Sequence, residues 1–194
     1  MIRLGITGGI GSGKSYVSRL LYRYFDIPVY DCDAEAKRLN NESPLIREQL
    51  IRLVGPEVYD EGGLVKPVLA EFLFANSDNA RQVNAIIHPV VREDFAQWCL
   101  RQEAEIVGLE SAILYESGFY TSVDKVLFVD APLEVRIQRA VCRDGVQREQ
   151  IEARIAQQDS AAAMEYADFV VENNGESDEA LLLALHNIIR YKLK

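Results

Sequence analysis

The sequence predicts an α/β fold, a five-stranded parallel sheet flanked by helices, with a helical subdomain inserted after the second strand and a helical lid before the fifth. Three observations predict it. Five short apolar runs alternate with segments of helical periodicity along the chain. Between the second and third runs, about sixty residues show only three- and four-residue apolar spacing, more than one crossover helix needs. Between the fourth and fifth, two helical segments joined by Asp144-Gly145 are studded with arginines.

The first run, Ile2–Thr7, leads into Gly8-Gly9-Ile10-Gly11-Ser12-Gly13-Lys14-Ser15, and helical spacing follows from Lys14 to Phe25. This octet fits G-x-x-x-x-G-K-[ST], and strand, glycine loop and helix together form the context in which that pattern grips phosphate. Gly9, Gly11 and Gly13 let the backbone approach an anion closely, and the loop amides, Ser12 among them, face it beside the positive end of the helix. Lys14 reaches the β- and γ-phosphates, and the Ser15 hydroxyl is a ligand for Mg²⁺. A dinucleotide fingerprint starting at Gly9 and Gly11 fails, because Lys14 stands where its third glycine must let helix and strand pack. The expectation is a P-loop NTPase-type fold binding ATP with magnesium.

The chain's 194 residues suffice for one core with an insertion. A net charge of −9 argues against a nucleic-acid partner, so phosphates must be held by a few local cations. No apolar run reaches the ~18 residues of a membrane span. The N-terminus enters a strand directly, and three scattered cysteines, Cys32, Cys99 and Cys142, form neither a disulfide framework nor a zinc site. A cytoplasmic location and a monomer or small homo-oligomer are expected.

The second strand, Ile27–Tyr30, ends in Asp31-Cys32-Asp33. At such a strand-to-helix junction one aspartate can cap the following helix while the other faces the site and positions an attacking hydroxyl. Helices are expected over 44–54, 65–76, 79–87 and 90–102, with turns at Gly62-Gly63 and His88-Pro89 and no strand among them. Ile106–Glu110 is the third strand, and the loop behind it carries Glu116. Val126–Asp130 is the fourth, followed by a helix from Leu133 to Arg143 on which Arg139 and Arg143 share a face. That arginine cluster suits a lid over phosphates, with Arg136 and Arg148 read as solvated and paired with nearby glutamates. Phe169–Val171 is the fifth strand, with Asn173 just beyond it, and a closing helix spans about 178–191. The expected division is a core of about 1–33, 104–135 and 160–194, an insertion of about 34–103 and a lid of about 136–159.

Taken together, the phosphate loop, Asp31-Cys32-Asp33, Ile87-His88-Pro89-Val90, the segment Glu110 to Glu116, Arg139-x-x-x-Arg143-Asp144 and Ala167–Asn173 resemble the dephospho-CoA kinase family over nearly the whole chain. The resemblance implies transfer of the γ-phosphoryl of ATP to the ribose 3′-hydroxyl of dephospho-CoA. It gives Asp33 the role of orienting and deprotonating that hydroxyl. Lys14, Ser15, Arg139 and Arg143 become the phosphate, magnesium and lid groups, and Asn173 an adenine-side contact. Asp31, His88 and Glu116 fall on the substrate side, and the insertion would receive the CoA moiety. The chain departs from the family pattern at Tyr16, where threonine is common and only the backbone amide matters, at Cys32 for alanine, and at Glu110 and Ala112 for aspartate and proline. Two other readings compete: a kinase of another nucleoside or nucleotide, and a P-loop ATPase or switch without an acceptor. No N-K-x-D guanine-reading motif occurs, and Asp130 can mimic a Walker-B acid but lacks the second acid typical of ATPases.

Overall fold

A computed structural model describes residues 1–158, 160–175 and 177–193. Strand β1 (Ile2–Thr7) lies at the centre of a five-stranded sheet with β2 (Val29–Asp31) at one edge. A two-stranded hairpin, β3 (Tyr59–Asp60) and β4 (Gly63–Leu64), lies outside that sheet, whose other strands are β5 (Ile106–Glu110), β6 (Lys125–Asp130) and β7 (Phe169–Glu172). The order is β2-β5-β1-β6-β7, and β1 runs parallel to β5 and β6 on either side. Leu4, Ile6, Leu127 and Val129 are fully buried, as expected of central strands covered on both faces. Each such side chain contributes roughly 1.5–3 kcal/mol of burial.

The helices of the sheet unit are α1 (Lys14–Phe25) and, after the insertion, α6 (Leu133–Asp144), α7 (Arg148–Gln157), α8 (Ser160–Glu165) and α9 (Asp178–Asn187). A π-helical turn over Ile188–Lys192 continues α9. Val17, Leu20 and Leu21 of α1 pack with Leu181 and Leu185 of α9 in the cluster around β1. Helix α6 ends at Gly145, whose left-handed φ of 66° makes the sharp turn toward α7.

Inserted between β2 and β5 are α2 (Cys32–Glu42), α3 (Pro44–Val54), α4 (Lys66–Ala75) and α5 (Ser77–Leu100). The chain forms two compact units, residues 1–30 with 102–194, and residues 31–101.

Two expectations for the insertion are corrected. His88-Pro89 is not a turn: α5 runs unbroken through Pro89. Proline inside a helix removes one hydrogen bond and costs ~3 kcal/mol, yet Val83, Ile87, Val91, Phe95 and Cys99 form a buried stripe at strict four-residue spacing across it. Burying that stripe against the neighbouring helices outweighs the break. The insertion also contains strands, since Tyr59–Asp60 pairs antiparallel with Gly63–Leu64. Asp60 Oδ1 accepts from the Gly62 N–H at 2.7 Å, and Asn41 Oδ1 accepts from the Leu64 N–H at 3.0 Å, pinning the hairpin to α2.

Candidate active site

The phosphate loop closes on itself before α1 begins. Gly13, at φ 93°, occupies the cap position, and no side chain caps the helix, so the first-turn amides are presented to a ligand. Lys14 folds over the loop, its Nζ donating to the carbonyls of Gly8 at 2.9 Å and Gly9 at 3.3 Å. The Ser12 N–H donates to the Gly9 carbonyl at 3.1 Å, holding the turn, while the Ser12 side chain is buried with its Oγ unpartnered. Tyr16 is half-buried, and its N–H donates to the Gly13 carbonyl at 3.0 Å.

Ser15 Oγ donates to Glu110 Oε1 at 2.6 Å. Glu110 ends β5 next to Ile6 of β1 and is only 8% exposed. The strand register thus delivers a buried carboxylate to the serine of the phosphate loop.

Asn173 braces the loop from the other side. At 5% exposure, it donates from Nδ2 to the Ser12 carbonyl at 2.8 Å, and its own N–H donates to the Asp130 carbonyl at 2.8 Å. Arg139 joins them, its Nη1 donating to the carbonyls of Asn173 at 2.9 Å and Ser12 at 3.4 Å. Arg143, one turn further along α6, is 65% exposed and pairs with Asp144 at 2.7 Å. Its hydrogen bond, and then its positive charge with that of Arg154, holds the Asp144 carboxyl below the usual carboxylate range. Arg148 is solvated and pairs with Glu134 and Glu152 as its spacing suggests.

Arg136 reverses the expectation of a solvated pair. It is 9% exposed and donates from Nε to the Ile10 carbonyl at 2.9 Å. Burial pulls its pKa down, an effect partly opposed by the attraction of Asp130.

In the 31–101 unit, Asp31 is the helix cap. Its Oδ1 accepts from the N–H groups of Asp33 at 2.9 Å and Ala34 at 3.0 Å. The Asp33 carboxylate, exposed in the first turn of α2, has no hydrogen-bond partner among the described residues. Cys32 is buried. His88 sits mid-way along α5, where burial and the nearby Arg92 charge lower its pKa and favour the neutral ring.

The family model described as dephospho-CoA kinase matches residues 2–179. The chain belongs to the dephospho-CoA kinase family. It is 51% identical over 177 residues to a dephospho-CoA kinase of Bacteroides fragilis, covering 90% of this chain and 86% of that one. With a Porphyromonas gingivalis dephospho-CoA kinase it shares 48% identity over 159 residues, 82% of this chain and 78% of that protein. The crystal structure of TT1252 from Thermus thermophilus superposes with a TM-score of 0.85 at 36% identity, covering 100% of this chain and 98% of that one. The fold is that of the P-loop kinases, and the family is one of phosphotransferases. This removes the reading as an acceptor-less ATPase or switch, and that as a kinase of another nucleotide family.

The residues present fit a magnesium ion. Among the described residues no group of three or more His, Cys, Asp or Glu is placed to hold a metal. Mg²⁺ in kinase sites, however, takes one or two protein oxygens and fills its shell with phosphate and water. Ser15 Oγ and the Glu110 carboxylate are hard oxygen donors 2.6 Å apart beside the loop, and they are the pair that would hold it. In the sequence Glu110 shows only as a departure from the family's aspartate, and Asp130 at the end of the fourth strand is the residue that resembles a Walker-B acid. The pairing of Ile6 with Glu110, a register no local pattern states, is what brings the carboxylate to Ser15. Glu116 is exposed and lines a cavity of about 520 Å³ with Tyr115, Tyr120 and Tyr166, within the sheet unit.

Proposed function

We propose that this member of the dephospho-CoA kinase family transfers the γ-phosphoryl group of ATP to the ribose 3′-hydroxyl of dephospho-CoA, giving coenzyme A and ADP, the last step of CoA synthesis. The observation that carries the reading is the uncapped start of α1 beneath Lys14, a cradle built for a triphosphate. Lys14 releases the Gly8 and Gly9 carbonyls and pairs with β- and γ-oxygens, neutralising charge that grows on the leaving group. Ser15 and Glu110 would hold Mg²⁺, which when bound would supply further neutralisation of the triphosphate. Arg139 and Arg143 cover the phosphates from α6, and Asn173 holds the loop on its nucleotide side.

Asp33 accepts the hydrogen bond of the acceptor hydroxyl and takes its proton as the oxygen attacks phosphorus and the bond to the β-γ bridging oxygen breaks. Its exposed, unpartnered carboxylate suits that task, whereas Asp31 is committed to its cap. The 31–101 unit, with His88, receives the CoA moiety, and Glu116 lies on the acceptor side. We place the protein in the cytoplasm as a monomer or small homo-oligomer.

An ADP-release assay with a panel of acceptors tests the reading. Release should depend on dephospho-CoA; equal or greater rates with nucleosides, nucleotides or no acceptor would reject it.

A further inference from the structure

The tip of the phosphate loop is held by both limbs of the arginine-bearing helical pair. The Ile10 carbonyl accepts from Arg136 Nε on α6 at 2.9 Å. The Ile10 N–H donates to Gln158 Oε1, one residue past α7, at 2.9 Å. Gln158 Nε2 in turn donates to the Ala112 carbonyl at 3.0 Å, in the segment that follows β5. These two partners fix the amide's orientation, since a flipped Gln158 would face donor to donor and acceptor to acceptor.

Arg136 comes so close that Gly11, at φ 77°, has to be glycine, and Gly9 leaves room for the guanidinium. A Cβ on Gly9 would collide with Arg136 Nη2 and Cζ, and one on Gly11 with the Arg136 backbone carbonyl. Arg136 Nη2 is buried and has no hydrogen-bond partner. A buried guanidinium with an unmet donor is costly, and an apolar side chain of similar length would fill the space without that cost. The cation instead stands behind a loop whose ligand brings several negative charges.

We propose that Arg136 and Gln158 are positioning residues for the reaction. They set the Ile10 peptides so that the loop amides meet the triphosphate in register with α6 and α7, and the Arg136 charge favours the loaded loop. The proposal rests on the loop binding ATP, and goes beyond that reading by assigning two residues that touch the loop rather than the reacting atoms.

The test compares Gln158→Met, Arg136→Met, Arg136→Lys and the double Met variant. Each is measured for kcat, for KM toward ATP and toward dephospho-CoA, for ADP affinity by calorimetry, and for Tm. Losing the Gln158 bonds should raise KM for ATP and weaken ADP binding about tenfold, with KM for dephospho-CoA within about twofold. Arg136→Met should lower kcat/KM for ATP by about 30- to 100-fold, and Arg136→Lys, which keeps the charge, should recover to within about tenfold of the parent protein. Because both side chains act on one residue, the double variant should lose at least threefold less than the product of the single losses.

Parallel rises in both KM values with a matching loss of Tm would overturn the proposal, as would a Lys variant no better than Met, or strictly multiplicative losses. If Arg136→Met does not fold, Gln158→Met and Arg136→Lys still decide. Calorimetry with ADP needs no acceptor, so failure of the acceptor assay and failure of this proposal remain distinguishable.

Discussion

Replacing Glu110 with glutamine tests the reaction's metal side through one contact. In the parent protein a buried carboxylate oxygen takes the Ser15 hydroxyl at 2.6 Å. Glutamine keeps the length and an acceptor oxygen, so Ser15 stays held, but the negative charge beside a divalent cation is gone. A hydrogen bond or ligand contact to a charged group is worth about 1.5–3 kcal/mol, which corresponds to roughly 10- to 150-fold in affinity. The half-saturating Mg²⁺ concentration in the ADP-release assay should therefore rise at least tenfold, and KM for ATP should rise with it at fixed low magnesium. Stability should not fall in step, because removing a charge from a buried position relieves a desolvation cost. We expect Tm to change by no more than a few degrees, read by thermal denaturation without ligand. An unchanged magnesium requirement would refute the reasoning, and place Glu110 as a partner that merely orients Ser15.

Two further predictions separate roles within the chain. Asp33→Asn should lower kcat by 100-fold or more with ATP affinity nearly unchanged, while Asp31→Ala should cost about 1 kcal/mol of stability through the lost cap; a larger kcat effect at Asp31, measured beside Tm, reverses the assignment. Asp124 accepts from the Arg3 N–H at 2.7 Å and from its guanidinium at 3.0 Å. Burial pushes its pKa up, but these bonds outweigh that and bring it below the ordinary 3.8. A depressed carboxylate stabilises above its unfolded value and loses that contribution as pH falls through the lower, folded one. The advantage of the parent protein over Asp124→Asn, under about 1 kcal/mol at so exposed a pair, should thus be present at pH 7 and decline as pH falls from 3.8 through the lower, folded value; a difference constant with pH contradicts it.

Much of this architecture is legible in the chain because the signals are local. Gly8 to Ser15 state the phosphate loop outright, and the five apolar runs mark the sheet strands. What escaped reading depends on distant partners or competing energies. Pro89 looks like a stop, yet the apolar stripe from Val83 to Cys99 keeps its phase through it, and its burial outweighs the lost hydrogen bond. The hairpin at Tyr59–Leu64 has two residues per strand, too few to show alternation. Arg136 resembles its neighbours in type, and only the fully buried Ala140 one turn on shows that its side of α6 packs inward. Gln158 meets Ile10 across 148 residues, and nothing nearby announces that pairing. Of the two aspartates around Cys32, sequence allowed either as the cap; the backbone geometry of α2 gives it to Asp31.

Calorimetric titration with ATP, with and without magnesium, tests the central claim most directly. The cradle at Gly8–Ser15 predicts micromolar to submillimolar affinity, lost in large part when magnesium is chelated and weakened at least tenfold by Lys14→Ala at unchanged Tm. Equal binding with and without magnesium, or by the Lys14→Ala protein, would contradict it.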